Sequence, residues 1–145
     1  MNVRRVRLGE LLALAGVACV IVSLLEPWYE GAVGQLDAWD TFGASIILLL
    51  AAACAGLALA VSALAERTPA LPVAIGVWTV VLGLAAVIAA AVRVLDRPEH
   101  TTKLCAGPLL ALAGAVLILA GAWLSLRDER PSLYEPADPE PRPRP

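Results

Sequence analysis

The chain has 145 residues, of which 59% are hydrophobic and only 17% are charged, and its formal net charge is −2. About a quarter of the residues in a typical soluble domain are charged, so this composition argues against a soluble protein. The Lys and Arg residues are scattered over short segments, which leaves no basic patch and argues against nucleic-acid binding.

Four stretches of the chain contain no charged side chain. Each approaches or exceeds the roughly 20 apolar residues that a helix needs to cross a bilayer. None alternates polar and apolar residues as the strands of a membrane barrel would. The stretches are Leu11–Leu25, Phe42–Ala65, Ala70–Val92 and Leu104–Leu126.

These stretches predict an all-α fold, an integral membrane four-helix bundle made of two antiparallel hairpins. The predicted spans cover about 8–25, 43–65, 70–92 and 104–126, within a membrane domain at 1–126. The first span follows a basic segment and could instead be a signal peptide. Because Glu26-Pro27-Trp28 is a poor cleavage site, we predict that this span is retained.

The distribution of Lys and Arg predicts the orientation, since loops on the cytoplasmic side are enriched in these residues. If the N-terminus is cytoplasmic, eight of the 11 basic residues lie inside: Arg4, Arg5, Arg7, Arg67, Arg127, Arg130, Arg142 and Arg144. The sequence therefore predicts a multi-pass membrane protein. Both termini would be cytoplasmic, and loops 26–42 and 93–103 would lie outside.

Aromatic residues cluster at the ends of the predicted spans, where Trp and Tyr favour the membrane–water interface. We predict five interfacial anchors, namely Trp28, Tyr29, Trp39, Phe42 and Trp123. Trp78 lies about two turns inside the third span, where it would pack between helices or face acyl chains. The two edges of the acidic first loop, Pro27–Tyr29 and Ala38–Phe42, are hypothesised to fold it onto the bundle as a small cap.

Small residues recur at helical spacing in every span, and such residues allow helices to approach closely in lipid. They are predicted to form helix–helix seams, or the face of a homo-oligomer. The predicted set is Ala15, Cys19 and Ser23 in the first span, Ala52, Gly56 and Ala60 in the second, Gly76 and Gly83 in the third, and Gly107, Gly114 and Gly121 in the fourth.

No constellation of residues in the chain predicts catalysis, a cofactor site or a metal site. The three cysteines lack metal-ligand spacing, and His100 is the only histidine. The acidic residues of the first loop lack the spacing of a calcium-binding loop. We therefore predict a protein without enzymatic activity, cofactor or metal.

The tail, residues 127–145, is rich in Pro and charge, a composition that predicts disorder. It would either dock a cytoplasmic partner or simply add solubility.

The order of features resembles a group of small, mostly uncharacterised four-span membrane proteins of high-GC actinobacteria. The matching segments are Pro27–Tyr29, Ala38–Phe42, Arg93 with Pro98, Gly121–Trp123 and Leu126–Glu129, and the likeness covers about residues 8–130. The resemblance implies a four-span topology in a bacterial cytoplasmic membrane and brings no activity with it.

The sequence favours an accessory or scaffolding membrane subunit over other functions. Its expected partners are the lipid bilayer and either another membrane protein or a second copy of the chain. The alternative is a small oligomeric channel or transporter, and a membrane-embedded enzyme is a weaker third reading.

Overall fold

A computed structural model describes residues 8–31, 34–64, 70–96 and 101–128. This part of the chain is mostly helical. Its elements in chain order are helix α1 (Leu8–Leu25), strands β1 (Tyr29–Gly31) and β2 (Gly34–Leu36), helix α2 (Ala38–Phe42), a 3-10 turn (Gly43–Ser45), helices α3 (Ile46–Leu64) and α4 (Ala70–Leu95), strand β3 (Thr101–Leu104) and helix α5 (Ala106–Asp128).

Three of these helices contain segments long and apolar enough to cross a membrane, namely Leu8–Leu25, Ala74–Leu95 and Ala106–Arg127. A shorter apolar segment covers Ile46–Ser62 in α3. All four are rich in Ala and Leu, which are strong helix formers. Since a helix satisfies its own backbone hydrogen bonds, it is the form such segments take in lipid.

The four long helices pack side by side in a ring. Helix α1 contacts α5 and α3, and α4 contacts the same two helices. Helix α5 runs opposite to α1, because Gly9 lies beside Gly121 and Gly16 beside Gly114. It also runs opposite to α4, because Gly76 lies beside Leu126 and Gly83 beside Leu119. The fully buried core is dominated by small side chains, which bring the helices close together: Ala13, Ala52, Ala86, Ala90, Ala111, Ala115 and Ala122.

Helices α1 and α5 make the closest seam, and glycines line it on both sides. A Cβ atom added to Gly16 would lie 2.6 Å from the carbonyl oxygen of Gly114, and one added to Gly114 would lie 2.8 Å from that of Gly16. Gly9 and Gly121 approach each other in the same way. The glycines of each helix are seven residues apart, a spacing that keeps them on one seam along the helix pair.

The small residues expected at seams divide into two groups. Ala52, Gly56 and Ala60 of α3, Gly76 and Gly83 of α4, and Gly107, Gly114 and Gly121 of α5 are all buried. In α1, Ser23 is buried, but Cys19 is only half-buried and Ala15 is exposed. This helix turns Gly9, Ala13 and Gly16 inward instead, because glycine lets the α5 backbone approach more closely than Ala15 would.

A three-stranded antiparallel sheet lies at one end of the bundle, in the order β2-β1-β3. It joins the segment after α1 to the segment before α5. The all-α expectation did not include this sheet. We call strands β1 to β3, together with Trp28, the cap, and the end of the bundle that carries it the cap end.

Several sequence-based expectations lie outside the described residues. They concern the basic residues Arg4, Arg5, Arg7 and Arg130, the turn at 65–69 and the tail beyond Asp128. Arg127 lies in the last turn of α5, where its side chain is exposed.

Candidate functional site

The inner row of the cap faces the helices. Leu36 and Leu104 are the register partners of Tyr29 on either side of it. Tyr29 is fully buried and the two leucines are half-buried. Since side chains alternate between the faces of a strand, this row fixes which face of the sheet packs on the bundle.

The next row of the cap faces outward. Gln35, Glu30 and Lys103 are register partners across the three strands, and all three side chains are exposed. The row places an amide, a carboxylate and an ammonium group next to one another. Opposite charges on paired positions, as at Glu30 and Lys103, favour this register.

A bulge between Glu30 and Gly31 interrupts the pairing of β1 with β3. The Thr102 hydroxyl donates a hydrogen bond to the carbonyl oxygen of Glu30 at 2.9 Å. This contact adds to the backbone ladder and holds the strand that carries Lys103 beside β1.

Trp28 connects the cap to α1. Its indole Nε1–H donates to the carbonyl oxygen of Ser23 at 2.7 Å. In a continuous helix that carbonyl would accept from the amide at position 27, but Pro27 has no N–H. The buried indole therefore satisfies a carbonyl at the end of α1 that the backbone leaves open.

The backbone around Trp28 also connects to β2 and to the start of α5. The Trp28 amide donates to the Leu36 carbonyl at 2.9 Å, and the Trp28 carbonyl accepts from the Cys105 amide at 3.0 Å. The Pro27 carbonyl accepts from the Gly107 amide at 3.2 Å. Amides at the start of a helix lack partners within it, so this segment caps α5.

Tyr29 connects the cap to α4. Its hydroxyl donates to the carbonyl oxygen of Arg93, in the last turn of that helix. Together, Trp28 and Tyr29 attach the cap to the ends of α1, α4 and α5. The expectation that they lie among lipid headgroups is therefore corrected, since both side chains are fully buried inside the protein.

The other expected interfacial aromatics lie elsewhere. Trp39 on α2 is 60% exposed and Trp123 near the end of α5 is 56% exposed, so both remain available to lipid or to a partner. Phe42 ends α2, at the junction with the turn that leads to α3. Ala38, one residue before Trp39, is buried and fixes α2 against the rest of the protein.

The described residues contain no group of three or more His, Cys, Asp or Glu side chains placed to hold a metal ion. Cys19, Cys54 and Cys105 are free thiols. His100 lies outside the described residues.

The sequence suggests that the first loop folds onto the bundle, but it does not indicate the sheet, because the strands are only three or four residues long and show no clear alternation. The sequence does contain one signal for the seam between α1 and α5. Gly9 and Gly16 have the same seven-residue spacing as Gly107, Gly114 and Gly121, which marks two helix faces of matching period.

Comparisons of the chain with models of protein families, with curated proteins and with solved structures find no match.

Proposed function

We propose that the chain is a four-span protein of a bacterial cytoplasmic membrane with both termini in the cytoplasm. In this proposal it acts as a non-enzymatic accessory or scaffolding subunit and presents the cap on the outer side to a partner. The charge distribution of the sequence supports the orientation. The three membrane-compatible helices, with α3 packed beside them, support the membrane placement.

The cap is the observation that carries the scaffolding role. Its outer row of Gln35, Glu30 and Lys103 is polar and exposed, and its inner row is fixed to three helix ends. A surface held this rigidly loses little conformational entropy when a partner binds. A membrane protein without a partner outside the bilayer would not need such a surface.

The hydroxyl groups inside the bundle favour a scaffold over the alternative, a small oligomeric channel or transporter. Ser23 donates to the Val20 carbonyl at 2.6 Å, and Ser62 donates to that of Leu59 at 2.7 Å. Thr79, fully buried, donates to the Ile75 carbonyl at 2.7 Å and lies 3.2 Å from that of Ala55 on the neighbouring helix. These donors are used in backbone contacts, whereas a conducting path needs polar groups directed at a solute.

Orientation is tested by labelling in intact cells. A Gln35→Cys variant, with the three native cysteines replaced by Ala, should react with a membrane-impermeant maleimide before the cells are opened. Labelling only after permeabilisation would place the cap inside and overturn the proposed orientation.

The scaffolding role is tested by photo-crosslinking from position 35 in whole cells. We expect one specific membrane or surface protein to be captured. Its capture should be lost when Glu30 and Lys103 are both changed to Ala. Val116→Ala, on an exposed face of α5, is the control that should leave capture unchanged. Solute flux through reconstituted vesicles, without any partner, would favour the channel instead.

A further inference from the structure

Trp78 and Trp123 lie at the same height in the bundle. Gly76 of α4 packs on Leu126 of α5, and Gly83 packs on Leu119. Because the two helices are antiparallel, each step along α4 matches one step back along α5. Trp78 is therefore level with Trp123 to within about one residue, or roughly 1.5 Å. Both side chains are exposed, Trp78 by 66% and Trp123 by 56%.

Helix α1 places a carboxylate at this same height. A Cβ added to Gly9 would lie close to both Gly121 and Ser125, which bracket Trp123 along α5. The next residue, Glu10, is only 6% exposed. A protein-shielded carboxylate thus shares its level with two outward-facing indoles, and the free energy of a carboxylate rises steeply toward the centre of a bilayer.

The opposite boundary of the apolar surface lies at the cap end. Leu25 and Leu95 are 82% and 83% exposed, and the exposed acidic residues Glu26 and Asp96 follow them directly. The glycine contacts that pair α4 and α1 with α5 place both leucines level with Gly107. At a rise of 1.5 Å per residue, Gly107 and Trp123 are roughly 24 Å apart along α5.

This distance is shorter than the ~30 Å hydrocarbon core of a typical bilayer by about one helical turn. A bilayer accommodates a shorter apolar surface by local thinning and by flanking basic side chains that reach the interface, and Arg127 is such a residue. It lies four residues beyond Trp123 on the same exposed face of α5. A long basic side chain near a helix end extends its charge to the phosphates while its stem remains in apolar surroundings.

We propose that Trp78 and Trp123 form an aromatic belt in the carbonyl and glycerol region of the bilayer, at the end opposite the cap, and that Arg127 contacts lipid phosphate. Tryptophan favours this region because its ring is apolar and its N–H donates to polar groups. The partner of the belt is the phospholipid itself. This inference rests on the membrane embedding in the proposed function, but not on the scaffolding role or the orientation.

The test is depth-resolved fluorescence quenching of the full chain in vesicles of phosphatidylcholine. The lipids carry bromines near the carbonyl, at mid-chain or near the chain end. Trp39→Phe/Trp123→Phe isolates Trp78, and Trp39→Phe/Trp78→Phe isolates Trp123. All of the replaced side chains are exposed, so the fold should survive. The triple variant, which retains only Trp28, gives the background of the buried indole.

We expect both indoles to be quenched most strongly by bromines near the carbonyl and to equal extents after subtraction of the background. Strongest quenching of Trp78 by chain-end bromines would overturn the belt while leaving membrane embedding intact. The belt would also be overturned if the depths of Trp78 and Trp123 in the bilayer differed by a helical turn. No quenching by any lipid-borne bromine, with full quenching by iodide in water, would overturn the embedding and the belt together.

Discussion

The indole of Trp28 occupies the space that a side chain at position 107 would fill. A Cβ atom built on Gly107 would lie 2.6 Å from the Trp28 Nε1 atom and 3.0 Å from the Pro27 carbonyl oxygen. The contact joins the segment that leaves α1 to the first turn of α5. Only glycine at position 107 allows the buried ring and the helix start to lie this close.

Gly107→Ala should therefore destabilise the protein. Either the ring must move and lose its bond to Ser23, or the start of α5 must move away from its capping carbonyls. Overpacking of this kind costs about 1–3 kcal/mol, measured as the free energy of unfolding in detergent. Ala113→Leu adds a larger side chain on an exposed face of the same helix and should be close to neutral. Equal stability of Gly107→Ala and the parent chain would contradict the packing of Trp28 on α5.

Trp28→Phe removes the hydrogen bond of the indole and also leaves part of the space of the larger ring unfilled. Phenylalanine has no N–H donor, so the Ser23 carbonyl would remain buried without its partner. A buried acceptor left unsatisfied costs about 1–3 kcal/mol, and the thermal midpoint in detergent should fall accordingly. Trp39→Phe is the matched control, because that ring is largely exposed and its loss should change stability by less than about 0.5 kcal/mol. If Trp28→Phe also changed stability by less than about 0.5 kcal/mol, the indole of Trp28 would have no structural role.

Gly16→Ala probes the seam between α1 and α5. The new Cβ would meet backbone atoms of Gly114 and Ile118 at 2.6 and 2.7 Å, and a backbone cannot rotate away as a side chain can. The two helices would have to separate, so we expect a marked fall in the thermal midpoint.

Gly56→Ala is the control for this substitution. Its nearest contact is a side-chain methyl of Val17 at 3.1 Å, which can shift by a few tenths of an ångström. The seam would be refuted as the tightest contact of the bundle if Gly56→Ala proved more harmful than Gly16→Ala.

The sequence predicts the long helices well because their signal is strong. An uncharged apolar run of this length has few alternatives, and α1 covers the same residues, 8–25, as the first predicted span. The ends of the other helices are predicted less well. Helix α3 begins only at Ile46, because α2 and a 3-10 turn occupy Ala38–Ser45.

The roles of Trp28 and Tyr29 could not be derived from the sequence. An aromatic residue at the end of a span looks the same whether its ring faces lipid or the bundle. The difference depends on which residue lies opposite, and Gly107 is almost 80 positions away. Trp39 lies near a span end as well, yet its ring is exposed. Tyr29 is also paired with Leu104 of β3, about 75 positions away, and periodicity within one segment does not reveal pairing with a segment so distant.

The register of the cap can be tested with a disulfide. In a chain whose native cysteines are replaced by Ala, Glu30→Cys and Lys103→Cys would stand opposite each other on β1 and β3. Paired residues of an antiparallel sheet have Cα atoms about 4.5–5.5 Å apart, which suits a disulfide. Mild oxidation should therefore link the two positions with high yield. After the chain is cleaved between them, the two fragments should run together on a gel and separate when a reducing thiol is added.

The control combines Gln35→Cys with Lys103→Cys. These positions belong to the same outer row, but β1 lies between their strands, so they are about two strand spacings, or roughly 10 Å, apart. That distance is beyond the reach of a disulfide without backbone movement. If the 35–103 pair were oxidised as readily as the 30–103 pair, the strand order β2-β1-β3 would be wrong. The cap could then no longer be described as a rigid surface fixed to α1, α4 and α5.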